Sequence, residues 1–222
     1  MRVLHHHPLY ASSRLIRLVL AERGLIFLPK HESPWERNED FLSLNPAGEV
    51  PVLVGEDGEV LSGAQVIVEF LEETEADKSL IWGGPAERAE IRRLTNWFEA
   101  KFTREVGNPL LTERFIKRFS GDAQPSSTVI RAALSNLQVH LGYIDWLAEQ
   151  GNWLAGKEMS LADLAAAAHL SVLDYFGDID WDRHPEAKDW YAKIKSRPSF
   201  RDLLGDQITG LIAAPHYSNL DF

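Results

Sequence analysis

Asn45-Pro46-Ala47-Gly48-Glu49-Val50-Pro51-Val52-Leu53 reads as a turn running into a short apolar strand, and it is soon followed by Leu61-Ser62-Gly63-Ala64-Gln65-Val66-Ile67. Pro51 stands at the strand's first position, where a missing backbone N–H does least harm to a sheet. Proline lowers the trans preference of the Val50–Pro51 bond to about 0.5–1 kcal/mol, so packing can hold the rarer cis isomer. Asp57-Gly58 then supplies hairpin-turn chemistry between residues 51–54 and 60–61.

Working outward, Leu4 with its flanking histidines and residues 26–30 are two further short strand candidates. Between them, residues 13–25 carry a helical pattern that Gly24 closes as a C-terminal cap. Residues 64–73 supply a covering helix. Beyond a polar stretch ending in Gly83-Gly84-Pro85 the period changes to about 3.6: Ile91, Leu94, Phe98 and Phe102 share one helix, and Ile130, Leu134, Leu137, Leu141 and Ile144 another. Residues 121–127 break the two long helices. There is no internal repeat or low-complexity tract.

Four ordered phrases carry a family resemblance. They are Asn-Pro-x-Gly-x-Val-Pro-x-Leu at residues 45–53, the helix pattern at 13–25, Trp153-Leu154-Ala155-Gly156 ahead of Ser160-Leu161-Ala162-Asp163, and Arg197-Pro198-Ser199-Phe200. Together they resemble the glutathione S-transferase superfamily along nearly the whole chain. The Ser160 and Asp163 pair is also a capping box on local grounds, with each side chain serving the other residue's backbone. The resemblance implies an α+β thioredoxin-like domain over residues 1–75, a linker over 76–85, an all-α domain over 86–212, and a tail over 213–222. It also implies that Val50, ahead of a cis-Pro51, presents its N–H and C=O to the cysteinyl part of glutathione.

Composition sets outer limits. At 222 residues and 45% hydrophobic the chain can bury a full core and fill two small domains. With no cysteine it has no disulfide, no Cys-x-x-Cys redox pair, no thiolate metal site and no cysteine nucleophile. The N-terminus lacks the long apolar core of a secretory signal and no stretch approaches the ~20 apolar residues of a membrane span, so a cytoplasmic protein is expected. A formal charge of −10 disfavours sequence-independent nucleic-acid binding. The one basic run, Arg114-Phe115-Ile116-Lys117-Arg118, reads as the solvated face of a helix.

Candidate chemistry gathers at the start of the first helix. Tyr10 occupies the place where serine-type members of the superfamily carry their activating hydroxyl. A phenol donating a hydrogen bond there would lower a bound thiol's pKa and hold it as the attacking thiolate. Ser12 and Ser13 are reserve hydroxyls, with Ser13 alternatively capping the helix. Gly63 and Ala64 depart from the family pattern, which places an acidic residue for the ligand's ammonium and a serine for its γ-glutamyl carboxylate at these positions. Losing each charge-assisted contact costs about 1.5–3 kcal/mol, so losing both weakens glutathione by roughly two to four powers of ten. Glu49 adds a like charge near the ligand's glycyl end. Glutathione is therefore a possible but disfavoured ligand, and no other cofactor is expected.

His5-His6-His7 invites a metal reading, but on a strand His6 points away from its two neighbours, and no metal site is expected. His140 and His169 lie on helical patterns and read as structural, and His184-Pro185 as a turn before a helix. Paired acids such as Glu72-Glu73 read as solvated. Neither a Gly-x-Ser-x-Gly elbow nor a Gly-rich phosphate loop is present.

Two segments are candidates for a protein partner. Trp35 lies in the charged stretch 32–40, where it either folds back onto the core or serves, exposed, as a binding anchor. The tail ends with Tyr217, Leu220, Asp221 and Phe222 ahead of a free carboxylate, a composition suited to docking in a groove. Pro34-Trp35-Glu36-Arg37 ahead of residues 41–51, with the Asp-Phe ending, is similar to the bacterial FtsZ-localized protein A branch of the superfamily. That branch has the transferase fold and is implicated in division, binding filaments of the tubulin-like FtsZ and linking them to wall synthesis. The resemblance implies a homodimeric scaffold that binds division filaments through Trp35 and the tail, more a scaffold than an enzyme. Its alternative is a glutathione-dependent transferase or isomerase using Tyr10 or Ser12. A third possibility is a module for another peptide or small molecule at the Val50-Pro51 shelf.

Overall fold

Val3, Leu4 and their histidine neighbours form β1 (Arg2–His6), an inner strand of a four-stranded sheet ordered β2-β1-β3-β4. The computed structural model describes residues 1–120 and 124–220. It divides into two compact units, Met1–Ser79 and Leu80–Phe222.

In the first unit, β2 (Phe27–His31) runs parallel to β1, pairing Leu4 with Pro29. An edge strand tolerates Pro29 because its missing donor faces no neighbour. β3 (Val52–Val54) runs antiparallel to β1, and β4 (Val60–Ser62) antiparallel to β3. α1 (Ala11–Arg23) ends at Gly24, whose φ of 71° lets its N–H bond Ala21 O and the N–H of Leu25 bond Leu20 O. α2 (Glu39–Leu44) is capped by Asn38, which accepts from the Phe41 N–H at 3.1 Å. α3 (Ala64–Thr74) packs on α1, burying Ile67, Val68 and Leu71. Glu72 departs from the solvated expectation. Its buried carboxylate pairs with Arg23 and accepts from Ser79 Oγ at 2.5 Å, while Arg23 also donates to Glu75 O at 2.7 Å. Carboxylate and guanidinium thus tie the C-terminal end of α1 to that of α3.

The helical unit begins inside the expected linker. Leu80 and Ile81 are buried, the Leu161 N–H donates to Leu80 O at 2.9 Å, and Trp82 Nε1 donates to Met159 O at 3.0 Å. α4 (Pro85–Asn96) starts with Glu87 accepting from the Gly84 N–H, and continues as a wider π-helical segment, Trp97–Gly107. Short α5 (Asn108–Leu111), a second π-helical segment (Thr112–Ile116) and α6 (Lys117–Ser120) complete this first long helical run. α7 (Ser127–Gln150) returns, burying Leu137, Leu141 and Ile144 as its period predicts, with Ile130 and Leu134 only half-buried.

α8 (Leu161–Phe176) is buried along nearly its whole length, which its alanines allow by letting neighbours approach closely. Asp163 does more than cap α8. It accepts from the N–H groups of Ser160 and Leu154 at 2.9 Å each, and from Trp190 Nε1 at 3.0 Å. Burial pushes its carboxyl above the ordinary range, against those hydrogen bonds. α9 (Pro185–Lys195) packs on α7, and α10 (Arg201–Leu204) follows the Pro198–Phe200 turn, which buries Phe200. No helix among the described residues is long and apolar enough to cross a membrane.

Candidate functional site

The opening phrase folds into a shelf. Asn45 organises its turn, donating from Nδ2 to Glu49 O at 2.8 Å and accepting from the Gly48 N–H on its own carbonyl, with Gly48 at φ 70°. The Val50–Pro51 bond is cis, as the sequence allowed. Val50 is buried with Phe41 and Val52, and Tyr10 packs against the three. Ser12 Oγ donates to Val50 O at 3.4 Å, occupying one lone pair of the carbonyl that the resemblance assigned to a ligand. Gly63 donates its N–H to Pro51 O at 2.9 Å and precedes α3 with φ 91°. No heavy atom lies within 4 Å of where a Cβ on Gly63 would stand, so space opens there, while Ala64 is buried.

Tyr10 is the N-cap residue of α1 and Ser13 lies inside its first turn. Ser13 therefore does not cap the helix; its buried hydroxyl accepts from the His7 N–H at 3.3 Å. The Tyr10 phenol is pushed up to about 12, by burial first and then by Glu49. The histidine run lies in separate surroundings. His5 Nδ1 is 2.7 Å from Glu32 Oε1, and its ring stacks on Phe41. His7 is ringed by Tyr10, His31 and Trp35 at 5.4, 4.8 and 5.1 Å between centroids. Among the described residues no group of three or more His, Asp or Glu is placed to hold a metal ion. Trp35 takes the fold-back alternative, half-buried with its ring edge-on to His7.

The tail corrects the sequence reading more sharply. Tyr217 is 1% exposed, its hydroxyl donates to Leu203 O at 2.9 Å, and its ring meets Tyr175 at 5.0 Å, so it is a core residue and not a docking group. Just before it, His216 Nε2 reaches Asp174 Oδ1 at 2.9 Å. The fully buried Asp174 also accepts from Trp181 Nε1 at 2.9 Å and from Lys195 Nζ at 3.2 Å. Burial pulls the Lys195 ammonium down, with Asp174 opposing. Leu220 is exposed; Asp221 and Phe222 lie outside the described residues.

Comparison with known proteins follows the same division. The model of the glutathione S-transferase N-terminal domain matches residues 11–74, and that of the C-terminal domain residues 115–205. The chain belongs to the glutathione S-transferase family. It is 48% identical to FtsZ-localized protein A of Caulobacter vibrioides across 100% of this chain and 98% of that one. A structure of FzlA from C. crescentus overlays with a TM-score of 0.97 at 48% identity, covering 100% of this chain and 99% of the other. A crystal structure of a glutathione S-transferase from Rhodospirillum rubrum F11 gives 0.96 at 48% identity, covering both chains in full.

As a glutathione S-transferase family member, the protein keeps the shelf and lacks two groups the family pattern places beside it. Gly63 brings no carboxylate and Ala64 no hydroxyl, and their neighbours Ser62 and Gln65 carry no charge. Tyr10 and Ser12 are half-buried, as a transferase hydroxyl must be to meet a thiol. Yet a phenol made less acidic by Glu49 and burial is a weaker donor to a thiolate than an unperturbed one. The Asp174 centre escaped the sequence reading, although one signal was available. A carboxylate within the apolar run of α8 has to be buried with partners, and Lys195 in the last turn of α9 supplies the charge.

Proposed function

We propose that this protein is a glutathione S-transferase-fold scaffold that binds FtsZ filaments at the bacterial division site, rather than a glutathione-conjugating enzyme. The observation that carries this is the full-length, 48% likeness to a protein named FtsZ-localized protein A. The bare Gly63-Ala64 pair and the raised Tyr10 phenol support it from the side of chemistry, since both weaken the thiolate site the fold would otherwise offer. A twofold dimer would present two equivalent filament sites, and bivalency would raise avidity and let one dimer bridge or curve neighbouring filaments. The edge of Trp35 and the end of the tail at Leu220, Asp221 and Phe222 are the proposed contacts. Cosedimentation with polymerised FtsZ tests the proposal: the protein pellets with filaments, and pelleting no higher than background at low salt removes it.

The open space beside Gly63 favours a second reading, a glutathione-dependent transferase or isomerase using Tyr10 or Ser12. Calorimetry at millimolar glutathione separates the two. Clear binding, with conjugation lost in Tyr10→Phe, selects the enzyme.

A further inference from the structure

The last turns of α7 carry an aromatic ladder. Trp97, at the start of the π-helical segment, lies 4.7 Å from Tyr143 between ring centroids, and Tyr143 lies 6.0 Å from Trp146 with the two planes only 11° apart. The inner rungs are fixed in place: the Trp97 indole N–H donates to His140 Nδ1 at 3.0 Å, and Arg93 donates to the Tyr143 hydroxyl at 2.9 Å. The outer rung is open. Trp146 is 53% exposed, more than any other Phe, Tyr or Trp among the described residues.

Tyr143 and Trp146, with Trp153 from the loop after α7, line a cavity of about 760 Å3 within the helical unit. That volume falls in the range of ligand sites. Its aliphatic members, Leu147 and Leu154, are buried, so the reachable apolar wall is aromatic. The indole N–H groups of Trp146 and Trp153 find no acceptor among the described residues. Of the charges at the rim, Glu90 and Arg93 neutralise each other through two hydrogen bonds of 2.7 Å. Lys157 is exposed and has no ion-pair partner among the described residues, which leaves the opening with one unanswered positive charge.

An occupant matched to this wall offers apolar faces that stack on near-parallel rings, carbonyl oxygens for the indole N–H groups and a negative charge for Lys157. An amphipathic helix meets the first two poorly, because its carbonyls are bonded within the helix and its apolar face suits a hydrophobic groove laid along it. A cationic ligand fails the third. An extended proline-rich chain meets all three when it carries an acid: it has no internal hydrogen bonds, is ordered before it binds, and docks on aromatic-lined grooves. Its rise of about 3.1 Å per residue sets alternate residues about 6 Å apart, which matches the 6.0 Å between the Tyr143 and Trp146 rings.

We infer that this aromatic cavity docks an extended, proline-rich segment of a partner protein, its prolines on Tyr143 and Trp146, its carbonyls on the indole N–H groups and an acidic residue at Lys157. The site uses none of the shelf residues, Trp35 or the tail, and the inference stands whether or not the protein binds FtsZ.

A peptide built on the repeat Pro-Pro-Asp and labelled with fluorescein at its N-terminus is the probe. It is titrated by anisotropy into the full chain with no FtsZ present. A Gly-Gly-Asp repeat, equally charged but flexible, is the stiffness control, and a Pro-Pro-Lys repeat is the charge control. One saturable site is expected for Pro-Pro-Asp, with Pro-Pro-Lys several-fold weaker and Gly-Gly-Asp weaker by about tenfold or more. Trp146→Ala weakens the site by about tenfold or more, as removal of an anchoring ring does. Lys157→Glu weakens Pro-Pro-Asp several-fold and strengthens Pro-Pro-Lys, an exchange that no folding defect produces. Both variants melt with the parent because both side chains are exposed. Binding within twofold of the parent in Trp146→Ala, or equal binding of Gly-Gly-Asp, overturns the inference. Sedimentation of Trp146→Ala tests the rival occupant: the oligomeric state is expected to match the parent's, and a loss of self-association would show that a second copy covers this wall and overturns the inference equally.

Discussion

Rebuilding the missing pair, Gly63→Glu with Ala64→Ser, should restore glutathione binding. Each charge-assisted contact contributes about 1.5–3 kcal/mol, so the two together offer roughly 3–6 kcal/mol. The backbone at position 63, with a φ of 91°, strains any residue with a Cβ by about 1–3 kcal/mol. No steric cost adds to the strain, because nothing lies within 4 Å of the new Cβ. That strain is present with and without the ligand, so it lowers the variant's stability and not its affinity, and the expected gain is roughly two to four powers of ten in binding. Ala64→Ser alone carries no such strain and should gain about tenfold or more. Gly63→Gln with Ala64→Ser is the control, keeping the strain but not the charge that answers the ligand's ammonium. Isothermal calorimetry with glutathione on all four proteins measures these differences. A well-folded Glu-Ser variant that binds no tighter than the parent would refute the reasoning, and would mean that the Ser12-occupied Val50 carbonyl or Glu49 limits the shelf instead. A Gln variant equal to Glu would show that charge is not the missing element.

Other consequences concern stability. His7 is held down to about 3 by burial first, then by His31, His6 and Arg14, against an ordinary value of 6.5. Between these values the unfolded chain binds the proton that the folded chain refuses, so stability falls with falling pH from about 6.5 and levels off near 3. From pH 7 to pH 5 the loss is about 2 kcal/mol, to be read by urea unfolding as the difference in pH slope between the parent and His7→Gln; identical slopes would rule out His7 as its source. Asp174→Asn should cost about 3–5 kcal/mol by leaving Lys195 buried without its counter-charge, and Lys195→Met in that background should recover part of it. Recovery of nothing would place the cost in the Trp181 and His216 bonds. Tyr217→Ala should cost about 3–5 kcal/mol, whereas removal of residues 218–222 should cost less than about 1 kcal/mol. Thermal melts of the two distinguish a strap ending at Tyr217 from a wholly dispensable tail.

Much of the architecture was legible from local chemistry. Pro51 with its flanking turn, Asp57-Gly58, Gly24 and the Ser160–Asp163 box each act within a few residues, so their positions on the sequence give their positions in the fold. Periodicity likewise placed the buried residues Leu137, Leu141 and Ile144. The π-helical stretch Trp97–Gly107 was not legible, because its widened turns keep Phe98 and Phe102 buried just as an α-helix would. Trp35 could be read either way, since whether an indole in a charged loop finds His7 depends on where β1 ends relative to that loop.

What the sequence determined by itself is the family, the shelf and the absence of a carboxylate and a hydroxyl at Gly63-Ala64. These depend on which groups are present and on backbone rules that act over short distances. Only the tertiary structure decided where the charges find partners. It set Trp181, His216 and Lys195 around Asp174, Tyr217 against Tyr175, and Glu72 on Arg23. A buried charge is tolerated only when a distant segment supplies its counterpart, and that distance in sequence is information no local pattern contains.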